Sequence, residues 1–322
     1  MDAQAELIER CARHRDERLG GLSPEAYAEL VAAVRENPAS FVDSASDEAF
    51  AVVARVLEGV RSASRDDEFL TDDEYERVRS ERLAKLNAAA REALAIDPDC
   101  VDAQLIAALA ADEAPSPTLE RLLELERAAD AVQLVPPSSG DAWDSVFGRP
   151  RLRVKAAAAR LCLSTTHAGM ARDRCLELLD VAPTDVLGAR FTLALAYARL
   201  EDEPGLDALD ARFARRGNAW MHLARVLLMF KLDRIPAARR ALRGYVGLCE
   251  GGAYALARPT YVERYIPDRP PFTPGSFEEA VLANHEADPV VVDTPDFVGW
   301  ALDQPGFADA CGAWANSNGL EW

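Results

Sequence analysis

The two stretches that decide the fold are Leu94-Ala-Ile-Asp-Pro-Asp-Cys-Val101 and Leu179-Asp-Val-Ala-Pro-Thr-Asp-Val186. In each, an apolar helical segment runs into a proline, and another apolar segment begins two or three residues later. Proline lacks an amide hydrogen and disfavours helix at the residue before it, so each stretch predicts a junction between two helices. The repetition of this junction indicates an array of helical hairpins.

The composition also favours helix and bounds the possible partners. Ala, Leu, Arg, Glu and Asp dominate the 322 residues, and all are tolerated or favoured in helices. The 36 Lys and Arg residues face 54 Asp and Glu residues, which gives a net charge of −18. A chain this acidic repels phosphate backbones, so we expect no nucleic-acid partner. The net charge does not exclude a local basic groove.

The N-terminus and the cysteines predict a cytoplasmic protein. Residues 1–10 are charged and amphipathic rather than a signal peptide, and no run of 18 apolar residues predicts a membrane span. No Cys-x-x-Cys pair suggests a metal site, and the spacing does not suit a disulfide framework. We therefore expect reduced, buried thiols at the six cysteines, which are Cys11, Cys100, Cys162, Cys175, Cys249 and Cys311.

Capping residues predict where several helices begin. Ser23 before Pro24 is typical of a helix N-terminus, and Thr71-Asp-Asp-Glu74 and Ser276-Phe-Glu-Glu279 are capping-box patterns. Apolar spacing predicts further helices near 3–18 and 49–60. The helix after Thr71 is expected to run to about Ile96.

Breaks between hairpins recur at a fixed interval. Pro183, Gly217 and Gly251 are each 34 residues apart, which is the period of a tetratricopeptide (TPR) hairpin. The earlier intervals, from Pro98 to Pro136 and from Pro136 to Pro183, are longer, so loop insertions are expected at Ala114-Pro-Ser-Pro117 and at Pro136-Pro-Ser-Ser-Gly140. The pattern predicts an all-α, TPR-like α-solenoid, a right-handed superhelix of helical hairpins.

We divide the chain by these patterns into three segments. Residues 1–70 form an irregular N-terminal helical region, 71–257 the TPR-like array, and 258–322 a Pro-rich segment followed by C-terminal helices. The tryptophans Trp314 and Trp322 predict that this last segment folds back to cap the array.

An ordered series of motifs runs from residue 143 to residue 280. It consists of Trp143 with Arg149-Pro150 and Arg153, then 178–190, then Trp220 with the segment ending at Leu232, and finally Tyr265-Ile-Pro with 272–280. In this order the motifs resemble bacterial TPR proteins related to the suppressor-of-tumorigenicity family. The resemblance implies a TPR fold and an interaction scaffold.

No motif in the sequence predicts catalysis. There is no nucleophile elbow, zinc-protease, phosphate-loop or dinucleotide motif. The acidic run at 66–74 lacks the order of a calcium loop, and it is interpreted instead as the charged start of a helix. The histidines His14, His167, His222 and His285 are isolated in sequence and are expected at the surface or in helix packing. We expect no catalytic residue, metal or cofactor.

The arginines offer the best candidates for binding. The first helix of each TPR hairpin lines the concave groove, so Arg153 and Arg190 are candidates to clamp a carboxylate or phosphate there. Arg149 is a third candidate, with Trp143 and Tyr197 as packing or stacking residues. The alternative is that these arginines form salt bridges with the chain's own acidic residues. Further arginines, Arg212, Arg215, Arg216, Arg234, Arg239, Arg240 and Arg243, lie in later helices and loops.

The resulting hypothesis is a non-catalytic scaffold that binds a protein or peptide segment, acidic or carboxylate-bearing, in the concave groove. Two alternatives stay open. One is a small-molecule binder or enzyme with a pocket between the array and residues 258–275. The other is a structural subunit that associates with itself.

Overall fold

The computed structural model describes residues 2–63, 71–131 and 139–322. Over these ranges the chain forms sixteen α-helices and no β-strand, so the predicted all-α class is confirmed. In the same residues, no helix is both long enough and apolar enough to cross a membrane.

The chain packs as two compact units. The first comprises residues 1–154 with 265–268, and the second comprises 155–264 with 269–322. The division falls within helix α7. This is a division by packing, whereas the three predicted segments are a division by sequence pattern.

The helices of the first unit begin near the N-terminus and lead into α7. They are α1 Ala3–Arg18, α2 Pro24–Glu36, α3 Ala45–Ala63, α4 Asp72–Ile96, α5 Val101–Ala110, α6 Pro115–Asp130 and α7 Arg149–Ser164.

The second unit contains the end of α7 and the nine helices that follow. They are α8 Ala168–Val181, α9 Ala189–Arg199, α10 Glu203–Arg212, α11 Ala219–Lys231, α12 Ile235–Leu248, α13 Gly252–Ala257, α14 Phe277–Val292, α15 Phe297–Leu302 and α16 Phe307–Ser317.

The predicted caps begin the helices that they were expected to begin. The Ser23 hydroxyl accepts a hydrogen bond from the amide of Ala26 at 3.3 Å, at the start of α2. The Glu74 carboxylate accepts from the Thr71 amide at 3.0 Å at the start of α4. The Ser276 hydroxyl accepts from the Glu279 amide at 3.3 Å, although α14 continues past the expected end near His285 to Val292. These bonds satisfy amides that a helix leaves without an internal partner.

The predicted breaks also lie between helices. Pro98 separates α4 from α5, Pro183 separates α8 from α9, and Gly217 and Gly251 precede α11 and α13. Both glycines have positive φ, +63° and +65°, which side-chain-bearing residues rarely adopt. Pro136-Pro137 and the acidic residues 66–68 lie outside the described residues.

The core of the first unit lies between α1, α3, α4 and α5. Cys11 of α1 and Phe50 of α3 have no exposed surface, and Leu86 of α4 and Ile106 of α5 are almost fully buried beside them. On the polar side of α1, Arg10 reaches Asp102 of α5.

In the second unit, α9 is covered on nearly every side. Residues 191–198 are all buried, and α8, α10, α11 and α14 pack around them. The rings of Phe191 and Trp220 stack at 4.4 Å, and Phe272 lies 5.1 Å from Trp220. This packing sets α9 and α11 side by side.

The C-terminal aromatic residues fold back within the second unit. The Trp314 ring stacks on Phe277 at 4.1 Å and lies 4.8 Å from Tyr254, while Trp322 lies 6.1 Å from Tyr254. The helices α14 and α16 thereby cover α13. The C-terminal segment is thus an integral layer of this unit.

Candidate functional site

Three of the predicted binding residues meet in the first unit. Trp143 lies in a short 3₁₀ turn, Ala142–Asp144, and Arg149 and Arg153 occupy successive turns at the start of α7. The Arg149 Nε donates to the Trp143 carbonyl at 2.9 Å. The guanidinium carbons of Arg149 and Arg153 lie 5.3 and 6.0 Å from the centre of the Trp143 ring. Trp143, Arg149 and Arg153, which are candidates from the sequence, are therefore neighbours in the structure.

Arg153 is, however, fully buried and paired with carboxylates of its own chain. Its Nη1 and Nη2 donate to the two oxygens of Glu6 at 2.9 and 2.7 Å, and its Nε donates to Asp102 Oδ1 at 2.9 Å. Arg10 donates to the same two carboxylates, each at 2.9 Å. We call Glu6, Arg10, Asp102 and Arg153 the buried charge cluster.

Electrostatics favour the charged forms of Arg153 and Glu6. Burial alone would lower the pKa of Arg153, but Asp102 and Glu6 outweigh burial and raise that pKa. Burial would likewise raise the pKa of Glu6, yet Arg153 and Arg10 hold it below its usual value. Two positive and two negative charges therefore neutralise each other inside the unit. Arg153 has no surface to offer a peptide, and the salt-bridge alternative describes it.

Arg149 extends the same arrangement toward the surface. Its Nη1 lies 2.9 Å from the Glu9 carboxylate, and its side chain is 14% exposed. The same guanidinium group also lies over the Trp143 ring. Arg149 thus fixes the start of α7 to α1, and little of its charge is presented to solvent.

Arg190 and Tyr197 lie in the second unit, both on α9. The Arg190 guanidinium lies 4.7 Å from the Phe191 ring and 4.8 Å from the Phe213 ring, and its Nη1 is 3.6 Å from Asp185 Oδ2. Tyr197 is 7% exposed. Its ring lies so close to Gly205 of α10 that a Cβ there would be 2.5 Å away. Tyr197 is a packing residue, whereas Arg190 is partly exposed.

Asp185, in the second quoted junction, caps α9. Its carboxylate accepts from the amides of Ala189 at 2.6 Å and Arg190 at 3.3 Å. Burial nevertheless raises its pKa to about 6, against the opposing effects of Arg190 and these amides. The junction therefore contains a carboxyl group that titrates close to neutral pH.

Helix α14 of the same chain packs against α9 and α11, the two helices on which a groove ligand was expected. Its Glu279 accepts from the Ala219 amide at the start of α11 at 2.7 Å, and its Glu286 pairs with Arg269 at 2.6 Å. These contacts reduce the surface of α9 and α11 that a partner segment could reach.

A basic stretch in the second unit provides another surface. Residues 211–249 contain nine Lys and Arg residues and a single acidic residue, Asp233, although the chain as a whole is strongly acidic. Most of these arginines are named above as single residues, and their segregation from acidic residues is a further signal, visible as local charge along the sequence.

Four of these arginines have no partner among the described residues. They are Arg215 and Arg216, in the loop after α10, and Arg240 and Arg243 on α12, and all four are exposed. We call these four residues the arginine face. The other five basic residues of the stretch make internal contacts, for example Arg225 with Asp207 at 2.5 Å and Arg234 with Glu203 at 2.5 Å.

The imidazole of His222 connects the two halves of the arginine face. A Cβ on Gly217 would lie 2.7 Å from His222 Nε2, and a Cβ on Gly244 would lie 3.2 Å from Nδ1. The ring therefore lies between the loop after α10, which contains Arg215 and Arg216, and helix α12, which contains Arg240 and Arg243. Burial lowers the pKa of His222, so the ring is neutral near pH 7.

The remaining histidines and the cysteines have structural surroundings. His14 Nδ1 lies 2.7 Å from the buried Asp47, and the ring stacks on Phe147 at 4.4 Å. All six cysteines are buried free thiols, as predicted. Within the ranges described above, no group of His, Cys, Asp and Glu residues is arranged to hold a metal ion.

Comparison with known proteins gives no relative: no family model, no curated protein and no solved structure matches the chain. The resemblance to TPR proteins stays a prediction from sequence motifs.

Proposed function

We propose that this protein is a non-catalytic interaction scaffold that binds an acidic segment of a partner protein. The segregated basic stretch, 211–249, carries the proposal. Like charges placed close together repel and reduce the stability of the folded chain, and no described carboxylate offsets the four arginines of the arginine face. A negatively charged partner would relieve this repulsion, and the four positive charges would attract it.

The partner is still an acidic segment, as predicted from the sequence, but it binds the arginine face rather than the concave groove. Arg153 is buried and α14 packs against both α9 and α11, whereas the arginine face is exposed. The helical hairpins and the 34-residue spacing of their breaks support a TPR-like α-solenoid as the scaffold. Six unpaired thiols suit a reducing compartment, which supports the cytoplasm as its location.

Fluorescence anisotropy with defined peptides tests this function. The full-length protein is titrated into fluorescein-labelled decaglutamate and, as the matched control, labelled decaglutamine. We expect saturable binding of decaglutamate that weakens as salt is raised from about 50 to 500 mM, because screening acts on exposed charges. No binding, or equal binding of both peptides, would show that the protein does not recognise acidic segments.

A further inference from the structure

We infer that the acidic segment binds beside His222, between the loop after α10 and helix α12, with carboxylates held by Arg215 and Arg216 on one side and by Arg240 and Arg243 on the other. This inference rests on the proposed function and gives that function a defined site.

The loop half of the site is fixed by its backbone. Helix α10 ends at Arg212, and Ala214 and Arg215 both have positive φ, +58° and +53°. The Arg215 amide closes the turn by donating to the Asp210 carbonyl at 2.9 Å. Asn218 then caps α11 by accepting from the Met221 amide at 2.9 Å. Arg215 and Arg216 therefore extend from a turn whose two ends are held by hydrogen bonds.

The helix half follows from the geometry of α12. Because an α-helix turns about 100° per residue, Arg240, Arg243, Gly244 and Gly247 lie within an arc of about 100°. The Cβ position of Gly244 lies 3.2 Å from His222 Nδ1, and the two arginines lie on the same side of α12 as Gly244. Gly247 has open space where a Cβ would lie. This part of α12 has two guanidinium groups and no bulky side chain between them and the next turn.

Two internal carboxylates, Asp210 and Glu279, lie near His222, but no ion pair among the described residues joins either of them to the four arginines, and Glu279 accepts from the Ala219 amide at 2.7 Å. Asp207 and Asp210 of α10, which come nearest in sequence to the loop, lie 2.5 and 4.0 Å from Arg225. Guanidinium groups bind carboxylates by paired, charge-assisted hydrogen bonds, so an acidic peptide is the complementary ligand.

Charge reversal locates the site. The variants R215E/R216E and R240E/R243E are compared with R35E/R91E, which makes the same change in net charge at two exposed arginines of the first unit without a described partner. Circular dichroism and urea unfolding establish that each variant is folded. We expect either reversed pair to weaken decaglutamate binding about tenfold or more, and the control pair to weaken it less than about threefold.

A neutral variant distinguishes a defined site from general attraction. Gly247→Leu places a side chain beside the two arginines without changing charge, and leucine suits a helix better than glycine does. We expect it to weaken decaglutamate binding by at least about threefold. Binding reduced equally by R35E/R91E, together with no effect of Gly247→Leu, would overturn the site and leave the proposed function standing.

The remaining outcomes concern the partner class. A labelled decathymidylate that binds more tightly than decaglutamate, and loses binding in the same two variants, would overturn the peptide assignment. Failure of the unaltered protein to bind decaglutamate would overturn the proposed function itself.

Discussion

The buried charge cluster of the first unit and the arginine face of the second use the same side chain in opposite ways. Arg153 has no exposed surface and two carboxylate partners within 3 Å, whereas Arg240 and Arg243 are exposed and have no described partner. A buried arginine without its partners would be costly, so its contacts stabilise the fold. An exposed arginine changes stability little whether or not it is paired, so it is available to bind a partner.

The largest effect on stability is expected at Arg153. Arg153→Met leaves Glu6 and Asp102 buried with fewer compensating charges, so the free energy of unfolding should fall by about 3–5 kcal/mol. Arg77→Met is the matched control, since Arg77 pairs with Glu81 at the surface. It should change stability by less than about 0.5 kcal/mol in urea titrations. Equal losses would contradict the internal role of the cluster.

Asp185 sharpens the comparison, because it is a buried carboxylate beside a partly exposed arginine. Its pKa of about 6 exceeds its unfolded value of 3.8, so between these pH values the folded state retains a proton that the unfolded chain releases. This group therefore destabilises the fold as pH rises through that window, and the loss is complete above about pH 7.

Asp185→Asn removes this titration but keeps an oxygen to cap α9. Its stability relative to the unaltered protein should be about 2–3 kcal/mol more favourable at pH 8 than at pH 4. Denaturant unfolding at both values measures the difference. A difference that does not change with pH would show that folding does not raise the pKa of Asp185.

Much of the fold could be predicted from sequence because its signals are local. Ser23, Thr71 and Ser276 mark helix starts through bonds to residues three positions away, and Gly217 and Gly251 mark breaks through their own backbone angles.

The role of Arg153 could not be predicted because its partners are distant. Glu6 and Asp102 are 147 and 51 residues away in the chain, so only tertiary packing brings them together. The same applies to Tyr197, which is covered by neighbouring helices. The arginine face was predictable in part, since its charge segregation is visible in the sequence, but His222 as its centre was not.

A smaller effect on stability is expected at Gly217, which shapes the loop half of the arginine face. Gly217→Ala would hold alanine at a φ of +63° with its Cβ 2.7 Å from His222, so the free energy of unfolding should fall by about 1–2 kcal/mol. Gly169→Ala in α8 is the control, since no atom lies within 4 Å of its Cβ position. It should be neutral or stabilising, and a similar loss in both variants would contradict the account.

The smallest effect is expected for the arginine face itself. R240A/R243A removes two exposed charges that have no internal partner, so thermal and urea unfolding should change by less than about 0.5 kcal/mol or show a slight gain. A loss of 2 kcal/mol or more would show that these arginines stabilise the fold.

The most direct test measures stability and decaglutamate affinity together in R240E/R243E. The account predicts affinity reduced about tenfold or more while the free energy of unfolding changes by less than about 0.5 kcal/mol. Unchanged affinity with a substantial loss of stability would contradict it, because the arginine face would then serve the fold, as the buried charge cluster does.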